Sequence, residues 1–179
     1  LILEEFENNP FLEDFYREPR YYAFQTQIFF LLSRFRQQER LLQLDLFQTA
    51  LISDYLFNKD RIFATQNLTE KEMVLYDGIA RIMEREIIIP DLVIYLRAST
   101  GRLLANIRKR DRSYERSIDD TYIHELNILY DQFFAHYKKT NLLIVNTEDI
   151  DFVNYERDYS YIVKKVNEKI KTISSLQDS

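Results

Sequence analysis

The chain has 179 residues, 46% hydrophobic and 30% charged, with a formal net charge of −5. That length fits one domain with a sizeable core, and the acidic balance excludes general nucleic-acid binding, which needs a basic face. No cysteine, two histidines, two glycines and three prolines exclude disulfides, thiolate metal sites and long flexible linkers.

Residues 1–6 open with Leu1, Ile2 and Leu3 and read as a strand ending at Glu4 and Glu5. The chain starts inside that strand with no initiator methionine, so a longer polypeptide is expected, with a further enzyme domain upstream as one arrangement. Asn9-Pro10 starts a helical turn, because asparagine caps and proline suits the first helical position. The helix of residues 11–17 stops near Pro19. Residues 21–44 form a long helix, with Phe24, Ile28, Leu31, Phe35 and Leu42 at roughly helical spacing. A compact strand at 50–53 leads to Asp54. Thr69 and Glu72 have the spacing of a capping box before a helix at 70–86.

The strand at 91–97 is a solid apolar block, and Thr100 caps a helix that runs into residues 108–116, RKRDRSYER. A helix at 118–139, a strand at 142–145 and a helix at 154–176 complete the chain. No apolar run is long enough to span a bilayer, and a cytoplasmic setting is expected. Short apolar strands separated by helices predict an α/β fold, a parallel sheet covered on both faces, in one domain over 1–179. Such folds bind ligands at the carboxyl ends of their strands, where Glu4, Glu5, Asp54, Asn146 and Thr147 stand.

Several residues there have chemistry to offer. Gln27 and Arg34, seven apart, lie within about 20° of each other on a helix; they could read the edge of a planar base, or point to solvent or neighbouring loops. Glu4 could take a proton from a substrate hydroxyl, or be one of the many carboxylates at strand ends. Asp54 could hold Mg²⁺ through water, as hard carboxylates do in phosphoryl transfer. Five of the nine residues in RKRDRSYER are basic. That cluster could clamp a polyanion, with Arg108, Arg110 and Arg112 fanned around a helix; it could equally be a basic helix end favoured by the macrodipole, or a nucleic-acid patch.

Taken together these residues resemble the deoxynucleoside kinase family along nearly the whole chain. Residues 4–12, EEFENNPFL, are similar to the family's E-x-x-x-x-N-P-[FY] segment, whose first Glu is the general base. The resemblance makes Glu4 that base and Tyr16 the residue that holds the sugar 3′-hydroxyl. Gln27 and Arg34 match its base-facing pair, and Asp60, six residues after Asp54, matches the acid that partners the arginine. Asp54 itself matches the Mg²⁺-linked acid. Residues 90–96, PDLVIYL, resemble the family's P-D-L-x-I-Y-L strand. Residues 110–115, RDRSYE, resemble its R-G-R-x-x-E lid, in which arginines meet ATP phosphates and the Glu meets the 3′-hydroxyl. The lid then spans about residues 108–117, with Arg108, Arg110 and Arg112 on phosphate and Glu115 on sugar. Asp151 and Phe152 stand in the loop that covers the ATP adenine.

The resemblance implies a P-loop-kinase-like fold, ATP and Mg²⁺ as cofactors, and phosphorylation of a purine deoxynucleoside at its 5′-hydroxyl. It also implies a homodimer, for which the aromatic stretch 130–137 offers a surface or belongs to the core, with neither nucleic acid nor membrane as partner. Three departures stand out. The phosphate loop G-x-x-x-x-G-K-[ST] and its strand are absent from the chain and expected upstream of Leu1. Tyr55 replaces the arginine that follows the family's strand-end acid, and the sequence leaves open whether Lys59 supplies that charge. Asp111 replaces the lid glycine, placed to tune the lid or to bond Arg108. Two alternatives are a thymidylate-type monophosphate kinase and an inactive kinase-like domain with a structural or regulatory role.

Overall fold

The computed structural model describes residues 1–4, 8–42 and 50–177. Its chain divides into two compact units, each assembled from separate stretches: 1–88 with 111–129, and 89–110 with 130–179.

In the first unit, Asn9 Oδ1 accepts from the Phe11 N–H at 3.0 Å and Asn9 Nδ2 donates to the Thr26 carbonyl at 3.2 Å. One buried side chain thus fixes the turn ahead of helix α1 (Leu12–Arg17) and ties it to helix α2 (Pro19–Leu42). Pro19, expected to end a helix, opens α2, where its missing N–H leaves no bond unmade. Helix α3 (Lys59–Asn67) was not expected from the sequence. Its nine residues carry a weak apolar pattern, and it buries the charged Asp60 beside Ile62 and Ala64. Helix α4 (Glu70–Met83) begins at the expected box, with Glu72 N–H to Thr69 Oγ1 at 3.4 Å and Thr69 N–H to Glu72 Oε2 at 2.9 Å. Leu31, Phe57, Ala64, Tyr76 and Ala80 form the core between α2, α3 and α4.

The two strands expected at 1–6 and 50–53 reduce to one parallel bridge between Ile2 and Ser53, with Ile2 N–H to Ile52 O at 2.8 Å and Asp54 N–H to Ile2 O at 3.1 Å. Leu1, Leu3, Leu51 and Ile52 stay exposed beside it, so the pairing lacks the burial on both faces that sustains parallel strands. Parts of the expected strand 1–6 and helix 21–44, with Glu5 among them, lie outside the described residues.

The second unit holds strands β1 (Leu92–Arg97) and β2 (Asn141–Asn146), paired in parallel from Leu92 with Asn141 to Arg97 with Asn146. Val93, Tyr95 and Val145 are buried, and Tyr95 stacks on Phe134 at 4.2 Å. Within the aromatic stretch at 130–137, Phe134 thus belongs to the core, and Tyr130, Phe133 and Tyr137 are half-buried around it. Ile94, Leu96 and Ile144, on alternate positions, remain exposed, so the expected covering of both faces holds for one.

Helix α5 (Thr100–Arg110) is capped one residue earlier than expected: Ser99 Oγ, not Thr100, accepts the Arg102 N–H at 3.2 Å. Ser99 is itself held by Glu148, through its N–H and its hydroxyl, both at 2.8 Å. Helix α6 (Asp120–Ala135) opens with Asp119 Oδ1 accepting the Thr121 N–H, and helix α7 (Glu156–Gln177) closes the described chain. Among the described residues no helix is long and apolar enough to cross a membrane.

Candidate active site

The Ile2–Ser53 bridge sets two strand-end acids side by side. The Glu4 N–H donates to Asp54 Oδ1 at 2.8 Å. The Glu4 side chain turns inward and meets two cations: Arg34 Nε on Oε1 at 2.7 Å, with Arg34 Nη2 on the same oxygen, and Lys59 Nζ on Oε2 at 2.8 Å. Arg34, 4% exposed, pairs through Nη1 with Asp60, which is 1% exposed. The Tyr76 hydroxyl completes Asp60 by donating to Oδ2 at 2.8 Å. Two carboxylates and two cations, from the bridge, α2 and α3, thus neutralise one another where solvent screens little.

Burial by itself would raise the Glu4 carboxyl, but the Arg34 and Lys59 charges and hydrogen bonds outweigh it and hold its pKa below the usual 4.5. Burial pushes the Lys59 ammonium down from its ordinary value, and Glu4 offsets only part of that. Burial raises the Tyr76 hydroxyl, which stays a neutral donor to Asp60. Glu4 is therefore an ionised carboxylate in a tight setting.

Gln27 and Arg34 do not point to solvent: both are buried on one face of α2, Gln27 at 2% exposure. Gln27 Oε1 has no hydrogen-bond partner among the described residues, and neither has Gln37 Oε1 on the same helix. An orphaned buried acceptor costs about 1–3 kcal/mol, which a ligand donor would relieve. Tyr16, half-buried at the end of α1, stacks on Tyr114 at 5.6 Å, and the neighbouring Glu115 is buried and 3.5 Å from Arg112 Nη1. The two residues assigned to the sugar thus lie on touching elements.

The basic segment is not one helix. α5 ends at Arg110 because Asp111 takes a left-handed φ of 49°, the backbone region that favours glycine. Arg108 and Arg110 occupy the last turn of α5, whereas Arg112 precedes a single 3₁₀ turn (Ser113–Glu115), so the expected helical fan of three arginines is replaced by a helix end and a corner. Arg116 grips the Asp111 carboxylate at 3.0 and 3.1 Å.

In the second unit, the loop after β2 is pinned by Glu148 on Ser99 and by Arg102 Nη2 on the Ile150 carbonyl at 3.2 Å. The Asp151 carboxylate binds Asn154 twice, at 3.1 and 2.7 Å, and so shapes the loop. Those Asn154 bonds, with a share from Lys109, hold its pKa low. Phe152 is exposed beside it. Asp54 is exposed, and no hydrogen bond to its Oδ2 is found among the described residues, which leaves an oxygen able to meet a hydrated cation. Among those residues no group of three or more His, Cys, Asp or Glu side chains could hold a metal by itself.

Sequence reasoning missed Tyr76 and Tyr114 as members of the site and left Lys59 undecided. Lys59 did have a signal, as the sole cation between Asp54 and Asp60. Tyr76 had none, since sixteen residues separate it from Asp60.

The sequence profile of the deoxynucleoside kinase family matches residues 2–171. The chain belongs to the deoxynucleoside kinase family. This kinase is 30% identical over 175 residues to deoxyguanosine kinase of Bacillus subtilis, across 95% of this chain and 84% of the relative. It is 27% identical to the deoxyadenosine/deoxycytidine kinase of the same organism, across 92% and 78%. Its fold is similar to that of deoxyadenosine kinase from M. mycoides with bound dATP, at a TM-score of 0.76 and 26% identity over 90% of this chain and 82% of that one. The kinase is thus a phosphotransferase that uses ATP to phosphorylate a deoxynucleoside, in the α/β fold class expected from its sequence. These relatives favour neither the monophosphate-kinase nor the inactive-domain alternative.

Proposed function

We propose that the acceptor is a purine deoxynucleoside and that Glu4 is the base that takes its 5′-hydroxyl proton. The observation that carries this is the buried Glu4–Arg34–Asp60 chain with the unpartnered Gln27 Oε1 on the same helix face. A purine offers both ring acceptors and an exocyclic group to such a set. Relatives named for deoxyguanosine and deoxyadenosine support the same choice.

In this reading Gln27, Arg34 and Asp60 read the base, and Tyr16 and Glu115 require a free 3′-hydroxyl. Arg108, Arg110 and Arg112 neutralise charge that develops on the transferred phosphoryl group, the largest catalytic effect in this chemistry. Phe152 lies over the adenine, with Asp151 fixing the loop that presents it. Asp54, exposed beside Glu4, is the residue that would hold Mg²⁺. The magnesium supplies charge neutralisation on the ATP phosphates. Residues 1–179 act as one kinase domain with its lid at about 108–117, in the cytoplasm, as a homodimer.

A substrate panel tests the reading. The full-length protein, given ATP and magnesium, is expected to phosphorylate deoxyguanosine or deoxyadenosine with kcat/KM about tenfold or more above that for thymidine, a ratio within reach of polar base contacts. Equal use of pyrimidines sinks the purine assignment; turnover of monophosphates alone sinks the acceptor class.

A further inference from the structure

Tyr55 directly follows the strand-end acid, where the resemblance places an arginine. Its ring is buried, its hydroxyl lies 3.5 Å from Gln38 Nε2, and burial pushes that hydroxyl up, so it carries no charge at neutral pH. A positive charge nevertheless reaches the base from a different direction. Lys59 opens α3, one turn on, and its ammonium meets Glu4 Oε2 at 2.8 Å while Arg34 occupies Oε1. The charge of Arg34 is divided between Asp60 and Glu4.

We infer, on the reading that Glu4 is the general base, that Lys59 is a positioning residue for phosphoryl transfer: it fixes the Glu4 carboxylate through Oε2 and is left unpaired beside the product once Glu4 takes the proton. The balance of the step shows why. O5′ bonds to the γ-phosphorus, the bond from that phosphorus to the ADP oxygen breaks, and the 5′-hydroxyl proton passes to Glu4. Beforehand Glu4 and Asp60 balance Arg34 and Lys59. Afterwards Lys59 has lost its ion-pair partner, and the cluster has lost one negative charge where a dianionic phosphate has just formed. Proton release from Glu4 to solvent restores the ion pair with Lys59 as product leaves.

A purely structural lysine would be expected to stabilise the fold. Lys59 is 22% exposed at its side chain, and burial penalises its charge beyond what Glu4 returns. For a lysine whose folded pKa lies below the unfolded one, the unfolded state binds protons more tightly, so the charged side chain subtracts stability at neutral pH. An uncharged residue of similar shape is then tolerated by the fold and not by the chemistry.

Steady-state kinetics and thermal melts of the full-length protein with Lys59→Met and Lys59→Arg test this. Lys59→Met is expected to lose about 100-fold in kcat, with nucleoside KM within about threefold and an unchanged or raised melting midpoint, and Lys59→Arg to regain about tenfold of the loss.

A Lys59→Met kcat within about threefold of wild type overturns the inference, as does a loss confined to KM. Failure of both Lys59→Met and Lys59→Gln to fold overturns it too, since it holds that Lys59 subtracts stability. Wild-type protein that phosphorylates no deoxynucleoside at all instead sinks the parent reading of the site.

Discussion

At the scale of single residues, the site is a problem of compensated charge. Arg34 cannot leave α2 for solvent, so it is tolerable only with Asp60 and Glu4 both in place. This makes Asp60 a support for Arg34 as well as a candidate contact to the base. Glu4 has the opposite character, with its carboxylate at the margin of the cluster and its backbone N–H on Asp54. Glu4→Gln keeps the shape and removes the proton acceptor. Single-turnover assays are expected to show about a 10³-fold loss of phosphoryl transfer, with equilibrium binding of the deoxynucleoside retained; near-normal turnover would remove Glu4 from the base role. The residue types and spacings of Glu4, Gln27, Arg34 and Asp60 were legible in the sequence. That Arg34 would bond Glu4 directly was not, because thirty residues separate them and only the packing of α2 beneath the bridge closes the gap.

At the scale of elements, local chemistry decided where helices begin and tertiary chemistry decided which helices exist. The Thr69–Glu72 box starts α4 where the sequence placed it, since both partners lie within one turn. Thr69→Ala is expected to lower unfolding free energy by about 1 kcal/mol, read by urea denaturation, without altering kinetics. The cap of α5 shows the limit of such reading. Ser99 and Thr100 are equally good caps on paper, and Glu148, from the loop after β2, selects Ser99 by bonding it. α3 is the extreme case, a short helix held by Tyr76 and Arg34 on Asp60 more than by its own pattern. Asp111 marks the converse, a residue whose own backbone tolerance stops α5 and splits the arginine cluster.

At the scale of the whole molecule, we assign the proposed homodimer to an exposed apolar face of α4. On α4, Val74 is 76% and Ile82 69% exposed, one turn either side of Gly78, where an added Cβ would meet nothing within 4 Å. A mid-helix glycine costs about 1 kcal/mol relative to alanine, which fits a face where another helix approaches closely. Sedimentation of Ile82→Glu is expected to show a monomer where wild type is a dimer; a dimer in both would place the interface elsewhere. What the sequence determined by itself was local or periodic: the longer helices and the strands β1 and β2, the capping box, the identity of the strand-end acids and the seven-residue spacing of Gln27 and Arg34. Those follow from backbone geometry within a few residues. The tertiary structure alone decided which charges meet, that Lys59 takes one oxygen of Glu4 and Arg34 the other, and that Tyr76 completes Asp60. Charge pairs form between side chains brought together from distant segments, and no periodicity records that distance.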